Sequence, residues 1–319
     1  MKKRILAVLI ATALAVSVTG CAGNATSSSD STSASSVAES SDTSTQTSAD
    51  ASSEDESKDE SSQEESKDLE ANYTKYTLDG DLTQHMIDMS RLNEGNKVRL
   101  ANVIKKLKNG EEVTVGFIGG SITQGTSAGN DLCYAKLTAD WLQQTYSNAK
   151  INYVNAGIGA TGSYIGVHRV ENDLLSKKPD LVFVEFSVND TTENTERNKK
   201  SYDGLLRTIW KSSTNPAIIT IATTQEDGTS FQDQHAEIVK HYDLPMISYR
   251  NTVLDTIKHG DIVWKDISDD NIHPNVPGHK IVSQLLQAYI SDVDKDVDNI
   301  SGSESDFTTP ATDAPIENG

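Results

Sequence analysis

From residue 96 to residue 290, apolar positions follow two patterns in turn along the chain. Short continuous apolar runs predict buried strands, and longer stretches with apolar residues three and four apart predict amphipathic helices. The runs predict five strands, at residues 113–118, 151–157, 181–187, 216–223 and 245–249. The longer stretches predict helices at residues 96–107, 131–146, 163–176, 199–212, 230–242, 251–258 and 276–290. Residues 71–95 show neither pattern clearly, and we expect an initial helix or a loop there.

The alternation of strands with helices predicts the fold class. Strands that are apolar along their whole length are typical of a parallel sheet that is covered by helices on both faces. We therefore predict an α/β fold, a three-layer α/β/α sandwich with a five-stranded parallel sheet. Residues 71–290 are enough for one domain with a sizeable apolar interior.

The N-terminal end of the chain has the features of an export signal. Residues 1–21 begin with the basic sequence MKKR, continue with a short apolar run and end with small residues before Cys21. This pattern predicts a secretory signal peptide, and the apolar run is too short to predict a membrane span. Cys21 resembles the lipidated cysteine of the bacterial lipobox, which implies an exported lipoprotein anchored to the membrane at the cell surface. The alternative is an ordinary signal peptide in which Cys21 has no such role.

Both flanks of the alternating part are polar and acidic. Residues 22–70 are rich in Ser, Thr, Asp and Glu, and we expect a disordered linker. Residues 291–319 have the same character, and we expect a second, acidic disordered tail. The net charge is −19, of which residues 1–70 carry −8 and residues 291–319 carry −7, leaving −4 for residues 71–290. A nearly balanced domain offers no basic surface for nucleic acid, and its charge does not define a substrate.

The chain has two cysteines, Cys21 and Cys133. If Cys21 is lipidated, Cys133 has no partner for an intramolecular disulfide. Cys133 lies on a predicted helix, and we expect its side chain to be small, apolar and buried.

Ser121 is the first candidate for chemistry. It follows Gly119 and Gly120 at the end of the first predicted strand, at the sheet edge where α/β proteins bind ligands. The two glycines permit a close backbone approach. Taken alone, a turn that caps the next helix also explains this motif. A phosphate-binding loop is not indicated, because the GxxxxGK[ST] pattern is absent and no lysine is near.

Two further motifs follow later predicted strands. Asp270 and His273 are one turn apart, which allows the carboxylate to bind the imidazole Nδ1–H and leaves Nε2 as a base for a distant serine. Local surface hydrogen bonding, or metal ligation by Asp269, Asp270 and His273, are alternative uses of these residues. Asn189 follows the third predicted strand, where its amide is able to donate to an oxyanion or to cap a helix.

A Gly-rich segment, residues 155–163, follows the second predicted strand. Its small residues expose backbone N–H groups at a helix start, which suits an anion or an oxyanion. Gly157, Gly159 and Gly162 also spell GxGxxG, the dinucleotide fingerprint. We do not favour a Rossmann oxidoreductase, because that fingerprint normally follows the first strand. It also leaves the serine and the Asp/His pair unexplained.

All four motifs follow predicted strands. In a parallel sheet the carboxyl ends of the strands share one edge, so these groups are expected to meet there. Together they provide a nucleophile, a base, a residue that orients the base, and oxyanion donors, which are the groups that acyl transfer needs.

The order of these motifs resembles the SGNH/GDSL hydrolase family over about residues 112–290. Residues 119–123 resemble the nucleophile block, residues 155–163 the block with the glycine oxyanion donor, residues 187–190 the GxND block and residues 270–274 the DxxHP block. The resemblance implies a flavodoxin-like fold and an ester hydrolase with neither metal nor cofactor. It implies Ser121 as nucleophile, His273 as base and Asp270 as the residue that orients it. The oxyanion donors would be the N–H groups of Ser121 and Ala160 and the side chain of Asn189.

Three positions depart from the family pattern. Gly120 replaces the Asp of GDS, which we expect to loosen the turn, and Ser187 replaces the Gly of GxND. Ala160 stands where the family has its oxyanion glycine, and its N–H keeps that role if φ is negative there. Gly159 is the rival donor.

Exported members of this family are often carbohydrate esterases, so we expect an acetylated polysaccharide or oligosaccharide as the substrate. Alternatives are a lipid or thioester acylhydrolase, an acetyltransferase on the same scaffold, and a non-catalytic binding lipoprotein. The rate of hydrolysis is expected to rise with pH as His273 loses its proton. Four more side chains are expected either to line the site or to pack in the shell of the domain: Trp264, Tyr164, His168 and Arg169.

Overall fold

The computed structural model describes residues 73–191 and 194–317. These residues all belong to one compact unit, Asp55–Gly319. The predictions for the signal peptide at residues 1–21, for the lipidation of Cys21 and for the linker at residues 22–70 lie outside the described residues.

The described residues form one six-stranded sheet and ten α-helices. The strands are β1 (Arg91–Asn93), β2 (Glu112–Gly119), β3 (Lys150–Gly157), β4 (Leu181–Glu185), β5 (Ala217–Ala222) and β6 (Met246–Ser248). The α-helices are α1 (Gln84–Ser90), α2 (Val98–Lys108), α3 (Ser121–Gln124), α4 (Tyr134–Thr145), α5 (Ser163–Asp173), α6 (Thr195–Trp210), α7 (Gln232–His241), α8 (Tyr249–Lys258), α9 (Trp264–Ile267) and α10 (Val276–Lys295). Short 3-10 helices, Leu175–Lys177 and Asn189–Thr191, follow α5 and β4.

The strand order in the sheet is β1-β6-β5-β4-β2-β3. Strands β2 to β6 are parallel, which confirms the predicted parallel sheet. Every residue of β4 and β5 is buried, because helices cover the sheet on both sides and leave no polar face. The sequences of these strands therefore do not alternate between apolar and polar residues.

Two hydrophobic clusters, one on each face of the sheet, form the core. On one face, side chains of β2 such as Phe117 pack with Leu142 of α4 and Leu286 of α10. On the other face, Val184 of β4 packs with Val167 of α5 and Leu205 of α6. The predicted three-layer α/β/α sandwich is confirmed. Within residues 73–191 and 194–317, no helix has both the length and the apolar character needed to cross a membrane.

Residues 71–95, which gave no clear pattern, include α1 and β1. Thr83 caps α1, where its side chain accepts a hydrogen bond from the N–H of Met86 at 3.2 Å. Strand β1 lies antiparallel to β6, with Arg91 opposite Ile247. The prediction of five strands was therefore one too few, because a three-residue strand is too short to show a periodic pattern.

The prediction of a disordered tail at residues 291–319 is wrong for its described part. Helix α10 continues to Lys295, and the segment after it, residues 296–317 (the C-terminal segment), packs on the domain. Phe307 stacks on Tyr242 with ring centroids 3.9 Å apart and on Trp210 at 4.5 Å. Glu317 accepts a hydrogen bond from Arg207 Nε at 2.7 Å. The segment as a whole is acidic and Ser-rich, and this composition does not reveal the few side chains that anchor it.

The strand order also creates a crevice. The strand that follows β2 in the chain lies on one side of it, and β4 lies on the other side. The connections therefore reverse direction between β2 and β4, and ligands of α/β proteins bind at the carboxyl ends of strands at such a point.

Candidate active site

The turn after β2 brings the backbone very close to its neighbours. Gly119, the last residue of β2, pairs with Gly157 of β3 and with Glu185 of β4. A Cβ atom on Gly119 would lie 2.1 Å from Oγ1 of Thr123 and 2.4 Å from the carbonyl oxygen of Glu185. Only a glycine fits this approach, and the chain turns directly into α3, which begins at Ser121.

Three side chains from two distant parts of the chain meet at this turn. His273 Nε2 lies 2.9 Å from Ser121 Oγ, and His273 Nδ1 lies 2.7 Å from Asp270 Oδ2. The side chain of His273 is 21% exposed, so the site is open to a substrate from solvent. Such a chain of hydrogen bonds allows the imidazole to remove the serine proton and the serine to attack a carbonyl carbon.

The carboxylate of Asp270 is fixed by its own loop. Oδ1 accepts the N–H groups of Ile272 at 2.7 Å and His273 at 2.6 Å. Partial burial acts to raise the pKa of Asp270, but the hydrogen bonds from His273 and from the two backbone groups outweigh it, so the pKa is lowered. The Asp270 carboxylate is thus already bound within its own loop, whereas metal ligation together with Asp269 and His273 would need its oxygens as ligands.

Trp264 and Ser268 hold the backbone of this loop. Trp264 Nε1 donates to the carbonyl oxygen of Asp270 at 2.7 Å. Ser268 Oγ lies 2.8 Å from the same oxygen and 2.6 Å from the carbonyl oxygen of His273, and it shares its one hydroxyl hydrogen between them. Trp264 is only 7% exposed. Of its two expected uses, packing is the one that the structure favours.

The Gly-rich loop lies beside Ser121. The N–H of Gly159 donates to Oε1 of Gln124 at 2.8 Å, so this rival oxyanion donor already has an acceptor. Among the described residues, the N–H groups of Ser121 and Ala160 have none. The loop follows β3, an edge strand, and not the central strand that a dinucleotide fingerprint needs.

Ala160 does not have the negative φ on which its expected role as an oxyanion donor depends. Its φ is +57°, in the left-handed region that favours glycine, and not negative. An alanine pays about 1–2 kcal/mol to adopt this conformation. The condition on φ is therefore not met, but the N–H of Ala160 has no acceptor among the described residues, and this N–H stays a candidate oxyanion donor. Strain of this kind is typical of functional loops.

Asn189 lies against the turn at Gly120 and Ser121, from the β4 side. A Cβ atom on Gly120 would lie only 2.0 Å from Asn189 Oδ1. The space left by the missing side chain of Gly120 is therefore filled by the amide, and the turn is packed, not loosened as we expected. The other departure from the pattern, Ser187, lies outside the site, where its buried Oγ accepts the N–H of Thr223 at 2.7 Å.

Asp190, the residue after Asn189, anchors this part of the chain to two helices, a role that the sequence did not reveal. Asp190 is 1% exposed, and its Oδ1 accepts the N–H of Ser163 at the start of α5 at 2.8 Å. Its Oδ2 lies 2.9 Å from Nε2 of the buried His235. Asp190 is part of the motif at residues 187–190, but its partners Ser163 and His235 lie on helices whose positions the sequence does not give.

Arg169 joins the ends of two strands behind the site. Its guanidinium donates to the carbonyl oxygen of Ala156 at 2.6 Å and to that of Gly119 at 3.0 Å. Burial lowers the pKa of Arg169, and the hydrogen bond with Asp173 offsets part of this effect. Tyr164 and His168, which we grouped with it, contact each other edge to face at 5.1 Å.

Glu185 is a fully buried carboxyl group behind the same turn. Thr223 Oγ1 donates to its Oε1 at 2.6 Å, and Thr123 Oγ1 of α3 lies 3.5 Å from its Oε2. Burial raises the pKa of Glu185 to about 7, although the hydrogen bond from Thr223 acts in the opposite direction. The sequence shows only one acidic residue at the end of an apolar strand.

The model of the GDSL-like Lipase/Acylhydrolase family matches residues 117–281, just over half of the chain. No curated protein matches the sequence significantly.

Solved structures give a more detailed likeness. The chain is similar to a two-domain esterase (CEX) active on acetylated mannans, with 37% identity over 71% of this chain and 61% of that chain, at a TM-score of 0.68. The same esterase co-crystallised with mannopentaose matches with 37% identity over 71% and 60%, at a TM-score of 0.66. The chain thus spans about 60% of the length of these structures. A mutant of Axe2, an acetylxylan esterase from Geobacillus stearothermophilus, matches with 20% identity over 56% and 94%, at a TM-score of 0.49, which is too distant to add to the comparison.

Proposed function

We propose that this chain, which belongs to the GDSL-like lipase/acylhydrolase family, is an esterase that removes acetyl groups from a mannan-type polysaccharide. The observation that carries the proposal is the pair of short contacts from His273, 2.9 Å to Ser121 and 2.7 Å to Asp270. The mannan is suggested by the 37% identical esterase, of which this chain spans only part.

In the first half of the reaction, Ser121 attacks the acetyl carbonyl carbon while neutral His273 takes its proton at Nε2. Asp270 holds the imidazole by Nδ1 and stabilises the charged form. The tetrahedral intermediate collapses when His273 gives the proton to the sugar oxygen, and the sugar hydroxyl leaves. An acetyl group remains on Ser121.

In the second half, His273 takes a proton from water, and the resulting hydroxide attacks the acetyl group. The intermediate returns the proton to Ser121 through His273 and releases acetate. Both tetrahedral intermediates carry an oxyanion, for which we assign the N–H groups of Ser121 and Ala160 and the amide of Asn189. The loss of one such donor costs about 10²–10³-fold in kcat.

Release of acetate from the full chain tests the proposal. Acetylated glucomannan, acetylated xylan and p-nitrophenyl acetate are compared as substrates for the unchanged protein and for Ser121→Ala. The matched control is Ser147→Ala, an exposed serine after α4. We expect activity on the acetylated mannan and on the small ester, lost in Ser121→Ala and kept in the control.

The outcomes separate the parts of the proposal. Activity on xylan but not on mannan would overturn the substrate and keep the chemistry. Activity on the small ester alone would favour another acyl substrate or an acetyltransferase. Full activity of Ser121→Ala would overturn the mechanism, and no activity on any ester would leave a binding protein.

We also propose that the enzyme acts at the cell surface, anchored through lipidated Cys21. The support is the basic, apolar and small-residue pattern of residues 1–21 and the acidic linker that follows it. Cys21→Ala should move the protein from the membrane fraction to the soluble exported fraction. An unchanged distribution would contradict the anchor.

A further inference from the structure

A polar crevice opens beside the nucleophile turn, at the β3 edge of the sheet. It has a volume of about 330 Å³ and is lined by Gln124, Asn130, Tyr153, Asn155 and Gly157. None of the three residues assigned to the catalytic relay lines it. The crevice is therefore additional to the site described above.

Gln124 connects the crevice to the nucleophile. Ser121 and Gln124 are the first and last residues of α3, so their Cα atoms are about 5 Å apart. Gln124 Oε1 accepts the N–H of Gly159, and a Cβ atom on Gly159 would lie 3.8 Å from Ser121 Cβ. The crevice is therefore within reach of a ligand whose acyl group lies at Ser121.

Two side chains of the crevice form a fixed wall. The Nδ2 group of Asn155 donates to Tyr153 Oη at 3.0 Å and to the carbonyl oxygen of Thr123 at 2.8 Å, and its Oδ1 accepts the N–H of Gly157 at 2.9 Å. These bonds hold Tyr153 and Asn155 in place before any ligand arrives. Rigid polar walls lower the entropic cost of binding.

The other two side chains retain hydrogen-bonding capacity. In the part of the chain that the structure describes, Gln124 Nε2 and the side-chain amide of Asn130 make no hydrogen bond, and both residues are exposed. A carboxamide offers donors and an acceptor together, which is what a sugar hydroxyl needs. The lining has no charged side chain for a phosphate and no apolar surface broad enough for an acyl chain.

We propose that this crevice is a subsite for a neutral sugar unit adjacent to the acetylated one, bound through hydrogen bonds to Gln124 and Asn130. The proposal rests on the proposed function, since it names where the same substrate extends. It predicts a preference for acetylated oligosaccharides over acetylated monosaccharides.

Asn130→Ala tests the subsite without touching the backbone bond that Gln124 makes. We measure kcat/KM of the full chain on acetylated mannotriose and on p-nitrophenyl acetate. Losing one hydrogen bond should lower kcat/KM on the oligosaccharide about five- to tenfold more than on the small ester. The matched control is Asn102→Ala, an exposed asparagine of a different surface crevice beside Arg99 and Asp180, which should not change the ratio.

A binding measurement tests the subsite independently of the hydrolysis reaction. In the Ser121→Ala background, unacetylated mannotriose should bind, and Asn130→Ala should weaken its Kd by a similar five- to tenfold factor. If the unchanged protein hydrolyses the acetylated oligosaccharide and Asn130→Ala alters neither the ratio nor the Kd, the subsite is refuted while the proposed function stands. If the unchanged protein does not hydrolyse acetylated oligosaccharides, both proposals fall.

Discussion

Replacing Gly120 by alanine is expected to disable the site without unfolding the domain. The added Cβ atom would lie 2.0 Å from Oδ1 of Asn189 and 2.8 Å from its Cγ. The next nearest atom is the carbonyl oxygen of Thr161 at 3.3 Å, so Asn189 is the group that must move. Gly120 has φ −87°, which is not in the left-handed region that favours glycine, and we therefore attribute the expected effect to the contact with Asn189.

The size of the effect follows from the size of the clash. Ordinary van der Waals contact begins at 3.4 Å, so the amide of Asn189 must shift by more than 1 Å. A misplacement of about 1 Å costs a catalytic group about 10²-fold, and loss of an oxyanion donor costs about 10²–10³-fold. We expect kcat to fall by at least about 10²-fold, or about 2.7 kcal/mol of transition-state stabilisation. Gly120→Asp, which restores the Asp of the family's GDS motif, should lower kcat by at least as large a factor.

A double-mutant cycle with p-nitrophenyl acetate measures whether the two residues act together. Gly120→Ala, Asn189→Ala and the double variant are compared for kcat and KM, with thermal unfolding as the check on folding. If the alanine acts by displacing the amide, the double variant should be little slower than either single variant. Unchanged kcat in Gly120→Ala, or two losses that multiply in the double variant, would refute this reasoning.

Two residues behind the site give further predictions. Arg169→Met removes the donors to the carbonyl oxygens of Gly119 and Ala156, so kcat for p-nitrophenyl acetate should fall roughly tenfold with little change in KM. Arg169→Lys should restore only part of the lost kcat. A rise in KM alone would contradict this positioning role. Burial raises the pKa of Glu185 from 4.5 to about 7, so its contribution to stability is fully present below pH 4.5 and is lost as the pH rises through 7. Relative to Glu185→Gln, the unchanged protein should lose about 3 kcal/mol between pH 4.5 and pH 8, measured by denaturant unfolding at a series of pH values; parallel pH profiles would exclude this effect.

The three proposed catalytic residues were predictable as candidates because each one follows a strand or forms a local motif. Ser121 comes just after β2, and Asp270 and His273 are one turn apart, so the sequence shows the place of the serine at the sheet edge and the contact within the Asp/His pair. The position of the pair beside Ser121 depends also on α8 and α9, which lie between β6 and the pair. The fold was predictable for a similar reason, since buried parallel strands are apolar throughout.

The supporting residues depend on contacts that no local pattern encodes. The bond from Gly159 to Gln124 and the pair of Asp190 with His235 join segments whose distance apart is set by the packed domain. The positive φ of Ala160 runs against the preference of alanine, so the residue type pointed to the wrong backbone conformation.

The packing of Phe307 between Trp210 and Tyr242 decides where a recombinant form of this domain has to stop. A chain cut after residue 290, where the composition turns acidic, would lose the last turn of α10 and uncover both aromatic faces. The approach of the Ile316 carbonyl oxygen to Gly204, 1.9 Å from where a Cβ atom would be, places the folded boundary still later. A tag or a fused module inserted before residue 317 would divide one folded unit, however much the sequence around it looks like a linker.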